Sequence, residues 1–356
     1  MQTRKPEFDL VKAVAMYLVV AGHLFDMAGY PAIGMNMCHV PALYFSSGYL
    51  ALSSTEIYSG SELFRRKCTS LAVPYMIWSS ISLAANLILM ALQGRLSKPS
   101  VWTEFVEIFV HARSVWFLVQ LFVAFGVFLI CLRLSKQRGW NLLLVNGITY
   151  MILCWLLPDT LFAFTKFKWL YPFFLLGYFT AKNREKIQKC TYLWILSVMS
   201  LLYPVLVCRF IGPNRFEQYT TAAYKDSFDF AAGIGCYILS ILGIILLFTI
   251  GTILARTGFS RLLGEIGTYS IDIYVTHMLC IKFLPIVSVF GESDYQQIFL
   301  LIYAAVIVLF IFLAVKFFLR KIPFYCAVIG RKRLSLNKIA GEYCENSIIN
   351  REDRLC

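Results

Sequence analysis

An ionisable pair lies within the first long apolar stretch of the chain, which reads FDLVKAVAMYLVVAGHLF over residues 8–25. Lys12 and His23 are eleven positions apart. On an α-helix, at about 100° per residue, they share one face and are separated by about 16 Å along the axis. Ionisable residues are costly inside a bilayer and usually serve a function. The stretch therefore predicts a membrane helix with a cation near one surface and an imidazole in the opposite half.

Two carboxylates accompany this pair. Asp9 lies one turn before Lys12 and is expected to pair with it, and Asp26 lies three residues after His23 and is expected to orient its ring. The alternative interpretation is structural: Lys12 snorkels to the membrane surface and His23 makes a hydrogen bond between helices. The residue pattern leaves both interpretations open.

The other histidines also fall near apolar stretches. His39 opens the second stretch, at the membrane surface where the first one ends, so His23 and His39 are predicted to meet near that surface. His277 follows Tyr274 by three residues and is predicted to lie near mid-membrane. It lines a substrate path or makes a packing hydrogen bond. His111 lies in a predicted loop and receives no functional assignment.

The composition identifies the class of protein. The chain has 356 residues, of which 59% are hydrophobic and only 15% charged, and its mean hydropathy is +0.69. Soluble domains are about one quarter charged, so we predict a polytopic membrane protein. The net charge of +13 comes from basic residues scattered between apolar stretches. This distribution sets membrane topology and does not indicate a nucleic-acid partner.

The cysteines do not indicate a metal or disulfide site. There are eleven, without CxxC or zinc-ligand spacing, and most lie inside apolar stretches as small hydrophobic residues would. We therefore expect no bound metal and no disulfide framework.

Apolar stretches of about 20 residues predict an all-α fold with about ten transmembrane helices. The candidates are residues 9–28, 37–54, 70–92, 115–133, 140–157, 169–182, 192–210, 230–254, 266–288 and 297–319. The first span is expected to be retained as a signal anchor. We find no linker, so residues 1–320 are predicted to form one transmembrane domain, followed by a short basic cytoplasmic tail over 321–356.

Loop charge supports this count. Alternate loops are rich in Lys and Arg, which places both termini in the cytoplasm by the positive-inside rule. The basic residues of these loops are Arg4, Lys5, Arg65, Arg66, Lys67, Arg133, Lys136, Arg138, Lys182, Arg184, Lys186, Lys189, Arg256, Arg261, Arg320 and Lys321. The asymmetry is imperfect, because the opposite loops contain Arg95, Lys98, Lys166, Lys168 and Arg215.

Several motifs carry a resemblance to a known family. In order along the chain they are Asp9, Lys12 and Gly22-His23; His39-Val-Pro41-Ala-Leu-Tyr-Phe45-Ser-Ser47-Gly48-Tyr49; Arg65-Arg66-Lys67 with Pro74-Tyr75 and Trp78; Trp116-Phe117-Leu118; Phe173-Phe174-Leu-Leu-Gly177-Tyr178; and Gly267-Thr-Tyr-Ser270-Ile-Asp-Ile-Tyr274-Val-Thr-His277. Together these motifs resemble those of the membrane-bound acyltransferase 3 family, bacterial O-acyltransferases of surface glycans. One position departs from the family pattern, because Lys12 stands where Arg is usual. A lysine offers a point charge in place of a planar bidentate fork.

The resemblance implies a function. It implies transfer of an acyl group, most often acetyl, from cytoplasmic acetyl-CoA to a hydroxyl of a surface glycan or its lipid-linked precursor. It also implies a location in the bacterial cytoplasmic (inner) membrane. The partners are then the glycan or lipid-linked sugar acceptor and membrane lipid.

The expected roles of the site residues follow from this chemistry. His23 is the general base or a transient acyl carrier, with His39 and Asp26 assisting. A basic mouth would bind the coenzyme phosphates: Lys12, Arg65, Arg66 and Lys67. The expected substrate-lining residues are Trp116, Tyr274 and His277. The competing functions are a transporter or flippase for glycans or lipid-linked oligosaccharides, and a glycan polymerase, neither of which would release coenzyme A.

Overall fold

The computed structural model describes residues 6–30, 32–136, 139–188, 193–210, 230–283 and 295–329. Every regular element within these ranges is helical, and no strand occurs in them. The predicted all-α class is therefore confirmed.

Sixteen α-helices lie in the described residues. They are α1 (Pro6–Met27), α2 (Ile33–Ile57), α3 (Gly60–Lys67), α4 (Val73–Leu92), α5 (Lys98–Phe105), α6 (Trp116–Leu134), α7 (Gly139–Leu156), α8 (Phe164–Lys182), α9 (Arg184–Gln188), α10 (Leu193–Ser200), α11 (Tyr203–Phe210), α12 (Phe230–Leu254), α13 (Ser260–Thr268), α14 (Ser270–Phe283), α15 (Gln296–Phe317) and α16 (Pro323–Val328). A π-helical turn over Cys68–Ala72 joins α3 to α4, and another over Val106–Val110 follows α5.

Helix α1 forms the centre of the bundle. It packs against α2, α12, α13, α14 and α15, and apolar residues on several sides of it are buried, among them Val11, Ala15, Val20 and Leu24. A helix that is apolar nearly all round is expected at such a central position. Asp9 is buried in this bundle, and Lys12 and His23 are partly buried, whereas Glu7 and Asp26 near the two ends of α1 are exposed.

Helices α2 and α8 are in very close contact. The Cα of Gly48 faces the backbone of Phe174, and the Cα of Gly177 faces the backbone of Phe45. A Cβ atom at either glycine would collide with a carbonyl oxygen of the opposite helix. Small residues such as Gly48 and Gly177 let the backbones of two membrane helices approach this closely.

Five helical stretches within the described residues are long and apolar enough to cross a membrane. They are Pro6–Met27, Gly60–Leu92, Trp116–Leu134, Ile234–Leu254 and Gln296–Lys321. The chain is therefore a multi-pass membrane protein. The count of ten spans and the orientation of the termini stay predictions.

Two predicted spans are interrupted. The stretch 192–210 breaks at Leu201 and Leu202, since Pro204 cannot donate a hydrogen bond back into a preceding helical turn. The stretch 266–288 includes the junction of α13 and α14 at Tyr269. Next to that junction, Gly267 packs its backbone directly against the carbonyl of Asp9.

Some charges used for the topology lie outside the described residues. They are Arg4, Lys5, Arg138, Lys189 and Arg215, and most of the predicted tail, residues 330–356, lies there as well.

Candidate active site

Two cavities meet inside the bundle. The histidine cavity, lined by residues that include His23 and His39, has a volume of about 350 Å³. The lysine cavity, lined by residues that include Lys12 and Lys67, has a volume of about 520 Å³. Both volumes fall in the range of small-molecule sites. The two ends of α1 thus contribute to two different cavities.

A partition of three side chains separates the cavities. Leu43, Phe117 and Tyr274 line both of them. The backbone N–H of Phe117 donates to the hydroxyl of Tyr274 over 3.0 Å, and the two rings lie 5.4 Å apart. Phe117 is in the first turn of α6, where backbone N–H groups lack partners within the helix, so Tyr274 satisfies one of them. The ring of Tyr44 contacts that of Phe117 edge-on at 5.5 Å.

The histidine cavity brings together residues that are far apart in sequence. His23 is half-buried, His39 is buried, and the exposed Asp26 lines the same cavity. The structure therefore places His23 and His39 on one cavity wall, near the end of α1 and the start of α2.

His277 lies beside His23 without lining the cavity. The two ring centroids are 5.2 Å apart, and the Nδ1 of His277 donates to the carbonyl of Tyr274 over 2.5 Å. In the neutral imidazole this bond requires the proton to be on Nδ1, which leaves Nε2 unprotonated. Among the described residues, this buried Nε2 has no hydrogen-bond partner. His277 therefore packs against His23 and makes the packing hydrogen bond that was one of its two predicted roles, while its role as a substrate-lining residue stays a prediction.

An aromatic and cationic wall completes the histidine cavity. Trp116 lines it, and the ammonium of Lys166 lies over the Trp116 ring, 3.9 Å from its centroid. Sequence reasoning treated Lys166 only as a loop charge. Its place within a short aromatic stretch did not indicate that it would turn inward, because Trp116 lies 50 residues earlier in the chain.

The lysine cavity carries three cations, Lys12, Lys67 and Arg320. Lys12 pairs with Asp9 over 3.5 Å, as the sequence predicted. The ammonium of Lys67 lies 3.8 Å from the ring centroid of Phe125, and it has no carboxylate partner in the described part of the chain. Two acidic residues, Asp9 and Glu265, also line the cavity. Glu265 is neutralised by Lys316, which lies outside the cavity wall, at 2.7 Å.

The predicted basic mouth is divided by the structure. Arg66 pairs with Glu62 over 2.9 Å and lies over the ring of Tyr58. Arg65 is exposed, and neither arginine lines the lysine cavity. Successive helix residues point about 100° apart, so Lys67 faces the bundle while the two arginines before it face outward.

Arg320 is a cavity residue that sequence reasoning missed. Its Nη2 donates to Asp272 over 2.7 Å, and its guanidinium lies 3.6 Å above the ring centroid of Tyr269. The carboxylate of Asp272 is fully buried and also accepts the hydroxyl of Tyr325 at 3.2 Å. Asp272 lies inside an apolar stretch, where an acidic residue requires a cationic partner, and this was the sequence signal for a residue such as Arg320. Which cation provides it is set by the packing of α14 against α15.

Comparison with known protein families gives one match that covers nearly the whole chain. A family model described as an acyltransferase domain, acyltransferase 3, matches residues 5–320. No curated protein and no solved structure matches the chain. The matched range includes both cavities and all of the residues that line them.

Proposed function

Because the chain belongs to the acyltransferase 3 family, we propose that this membrane acyltransferase moves an acyl group, acetyl by preference, from cytoplasmic acyl-CoA to a glycan hydroxyl. The acceptor is a surface glycan or its lipid-linked precursor, and the membrane is the bacterial cytoplasmic membrane. One observation carries the proposal: a cation-lined cavity and a histidine-lined cavity share a single partition.

The lysine cavity suits the donor. Coenzyme A carries several phosphate charges, and Lys67 is a cation without a carboxylate partner among the described residues, so it is available to bind one of them. Arg320 is held rigidly by Asp272 and supplies a guanidinium whose buried Nε has no partner in the described part of the chain. Lys12, although it pairs with Asp9, adds a third positive charge. Arg65 and Arg66 have no part in this donor site.

The histidine cavity suits the acceptor. In our mechanism, His23 accepts the proton of the acceptor hydroxyl while the hydroxyl oxygen attacks the thioester carbonyl carbon. The C–S bond then breaks, and coenzyme A leaves as the thiol after taking up the proton. In the alternative sequence, a ring nitrogen of His23 attacks first and the acyl-imidazole is passed to the acceptor. His39 assists by fixing the acceptor, and Trp116 offers a flat ring for a sugar.

The partition is the place where donor and acceptor meet. Tyr274 reaches both cavities, and its hydroxyl already accepts the N–H of Phe117, which polarises its own O–H bond. We assign this hydroxyl as the hydrogen-bond donor to the oxyanion that forms on the thioester carbonyl.

The proposal is tested by mass spectrometry of the native surface glycan. Four strains are compared: wild type, a deletion, and the deletion complemented with either His23→Ala or His111→Ala. His111 is the matched control, because it pairs with Glu107 over 3.0 Å and lines neither cavity. We expect the acyl mass to be lost in the deletion, to stay absent with His23→Ala, and to return with His111→Ala.

Two further readouts sharpen this test. Membranes with wild-type protein should release free coenzyme A from acetyl-CoA only when acceptor is present, and immunoblots should show equal amounts of each variant. Full acylation with His23→Ala would refute the role of His23. If deletion leaves the acyl mass of the glycan unchanged but lowers its amount or chain length, the function of the protein is export or polymerisation and not acyl transfer.

A further inference from the structure

A third cavity opens between helices α1, α2, α8, α9, α10 and α12, and we refer to it as the lateral groove. Its volume is about 650 Å³, and it shares no lining residue with either the histidine or the lysine cavity. Four aromatic rings form its floor: Phe8, Phe45, Tyr49 and Phe248. Phe8 lies 4.7 Å from Tyr49 and 5.2 Å from Phe248, so the floor is a packed and rigid surface.

The walls of the groove match one leaflet of a bilayer. Aliphatic residues of α12 run along it from Ile241 to Ile253, a rise of about 18 Å at 1.5 Å per residue. The hydrocarbon core of a membrane is about 30 Å thick, so the groove covers roughly half of it. Leu176 of α8 and Leu196 of α10 close the sides and are partly exposed. A hydrocarbon chain fits this surface in length and polarity.

One end of the groove is charged. Arg184 and Arg256 both line it and are exposed, and neither makes an ion pair with another described residue. Glu7, in the first turn of α1, lines the same end and reduces its net charge to one positive unit. The three residues lie where α1 begins and where α8 and α12 end, at the level where a lipid headgroup would sit.

We propose that the lateral groove binds an anionic glycerophospholipid of the leaflet at which α1 begins. One acyl chain lies on the aromatic floor, and the headgroup phosphate bridges Arg184 and Arg256. Guanidinium groups bind phosphate in a bidentate manner, and paired basic side chains between membrane helices favour anionic headgroups over zwitterionic ones. This site is independent of the acyl-transfer chemistry, because it requires only that the protein spans a membrane.

The test is a lipid titration of the full-length, delipidated protein followed by native mass spectrometry. Phosphatidylglycerol and phosphatidylcholine with identical acyl chains are compared. We expect wild type to bind phosphatidylglycerol more tightly. The double variant Arg184→Gln/Arg256→Gln should bind phosphatidylglycerol about thirty-fold more weakly, close to the level of phosphatidylcholine.

Two control variants make the result specific. Arg133→Gln/Lys136→Gln removes the same charge from exposed residues at the end of α6, away from the groove, and should leave the affinity unchanged. Ile245→Trp fills the groove without changing its charge and should weaken the binding of both lipids. Equal affinity of wild type for the two lipids would overturn the proposal. So would equal weakening by the Arg133→Gln/Lys136→Gln control, or unchanged binding by Ile245→Trp.

Discussion

Replacing Gly48 by alanine tests the packing that positions α2 against α8. A Cβ atom at residue 48 would overlap the carbonyl oxygen of Phe174, which is backbone and cannot rotate away. The two helices would have to separate. By contrast, a Cβ atom at Gly126, in the interior of α6, would meet no atom within 4 Å. Gly126→Ala is therefore a control with the same chemical change in open space.

The two substitutions should affect the free energy of unfolding differently. Alanine is favoured over glycine in a helix interior by up to about 1 kcal/mol, so Gly126→Ala should be neutral or stabilising by that amount. Overpacking of a tight contact costs about 1–3 kcal/mol, and at Gly48 the neighbour is backbone. Gly48→Ala should therefore lower the free energy of unfolding by about 1–3 kcal/mol, so the two variants should differ by roughly 1–4 kcal/mol.

The measurement is equilibrium unfolding of the detergent-solubilised protein, with helix content and tryptophan fluorescence as probes. Gly177→Ala acts on the same interface from the other side, where its Cβ would meet the carbonyl of Phe45. The combination of Gly48→Ala with Gly177→Ala should cost less than the sum of the single variants, because both force the same separation. Similar stability of Gly48→Ala and Gly126→Ala would refute the close approach of α2 and α8.

Three further changes probe the site. Lys67→Gln should raise the KM for the acyl donor about ten-fold or more, because a charge-assisted hydrogen bond to the donor is lost. Arg66→Gln, on the exposed face of α3, should leave this KM unchanged. Equal effects of the two variants would show that the lysine cavity is not the donor site. Tyr274→Phe should lower kcat about 10²- to 10³-fold with little change in the donor KM. Tyr44→Phe also removes a buried hydroxyl, one without a partner in the described residues, and should leave kcat unchanged. A normal kcat for Tyr274→Phe would exclude the oxyanion role of Tyr274. Asp272→Asn leaves the guanidinium of Arg320 without its buried carboxylate and should destabilise the protein by about 3–5 kcal/mol in thermal or denaturant unfolding. Loss of an exposed ion pair costs about 1 kcal/mol or less. A loss of stability that small for Asp272→Asn would contradict the buried pairing.

The sequence by itself determined the class of the protein and the placement of a few cavity residues, namely Lys12, His23 and His39. Its low charge and its apolar stretches of about 20 residues predicted helical membrane spans, because a spanning helix needs about that length. The helical period put Lys12 and His23 on one face, and two helix ends at one membrane surface brought His23 and His39 together. These inferences rest on local geometry, which a sequence encodes directly.

Tertiary structure alone decided how the remaining residues are arranged. The choice between Arg66 and Lys67 depended on which side of α3 faces the bundle, and the run of adjacent cations in the sequence did not specify it. Arg320 lines the lysine cavity, where it forms an ion pair with the buried Asp272. The partition is formed by the contact between Phe117 and Tyr274, which lie 157 residues apart in the chain. Contacts between distant segments depend on helix packing and the pairing of buried groups, and apolar helix surfaces permit many such arrangements. Spacing along the chain therefore fixed which helix face each residue occupies, and only the folded bundle fixed which faces meet.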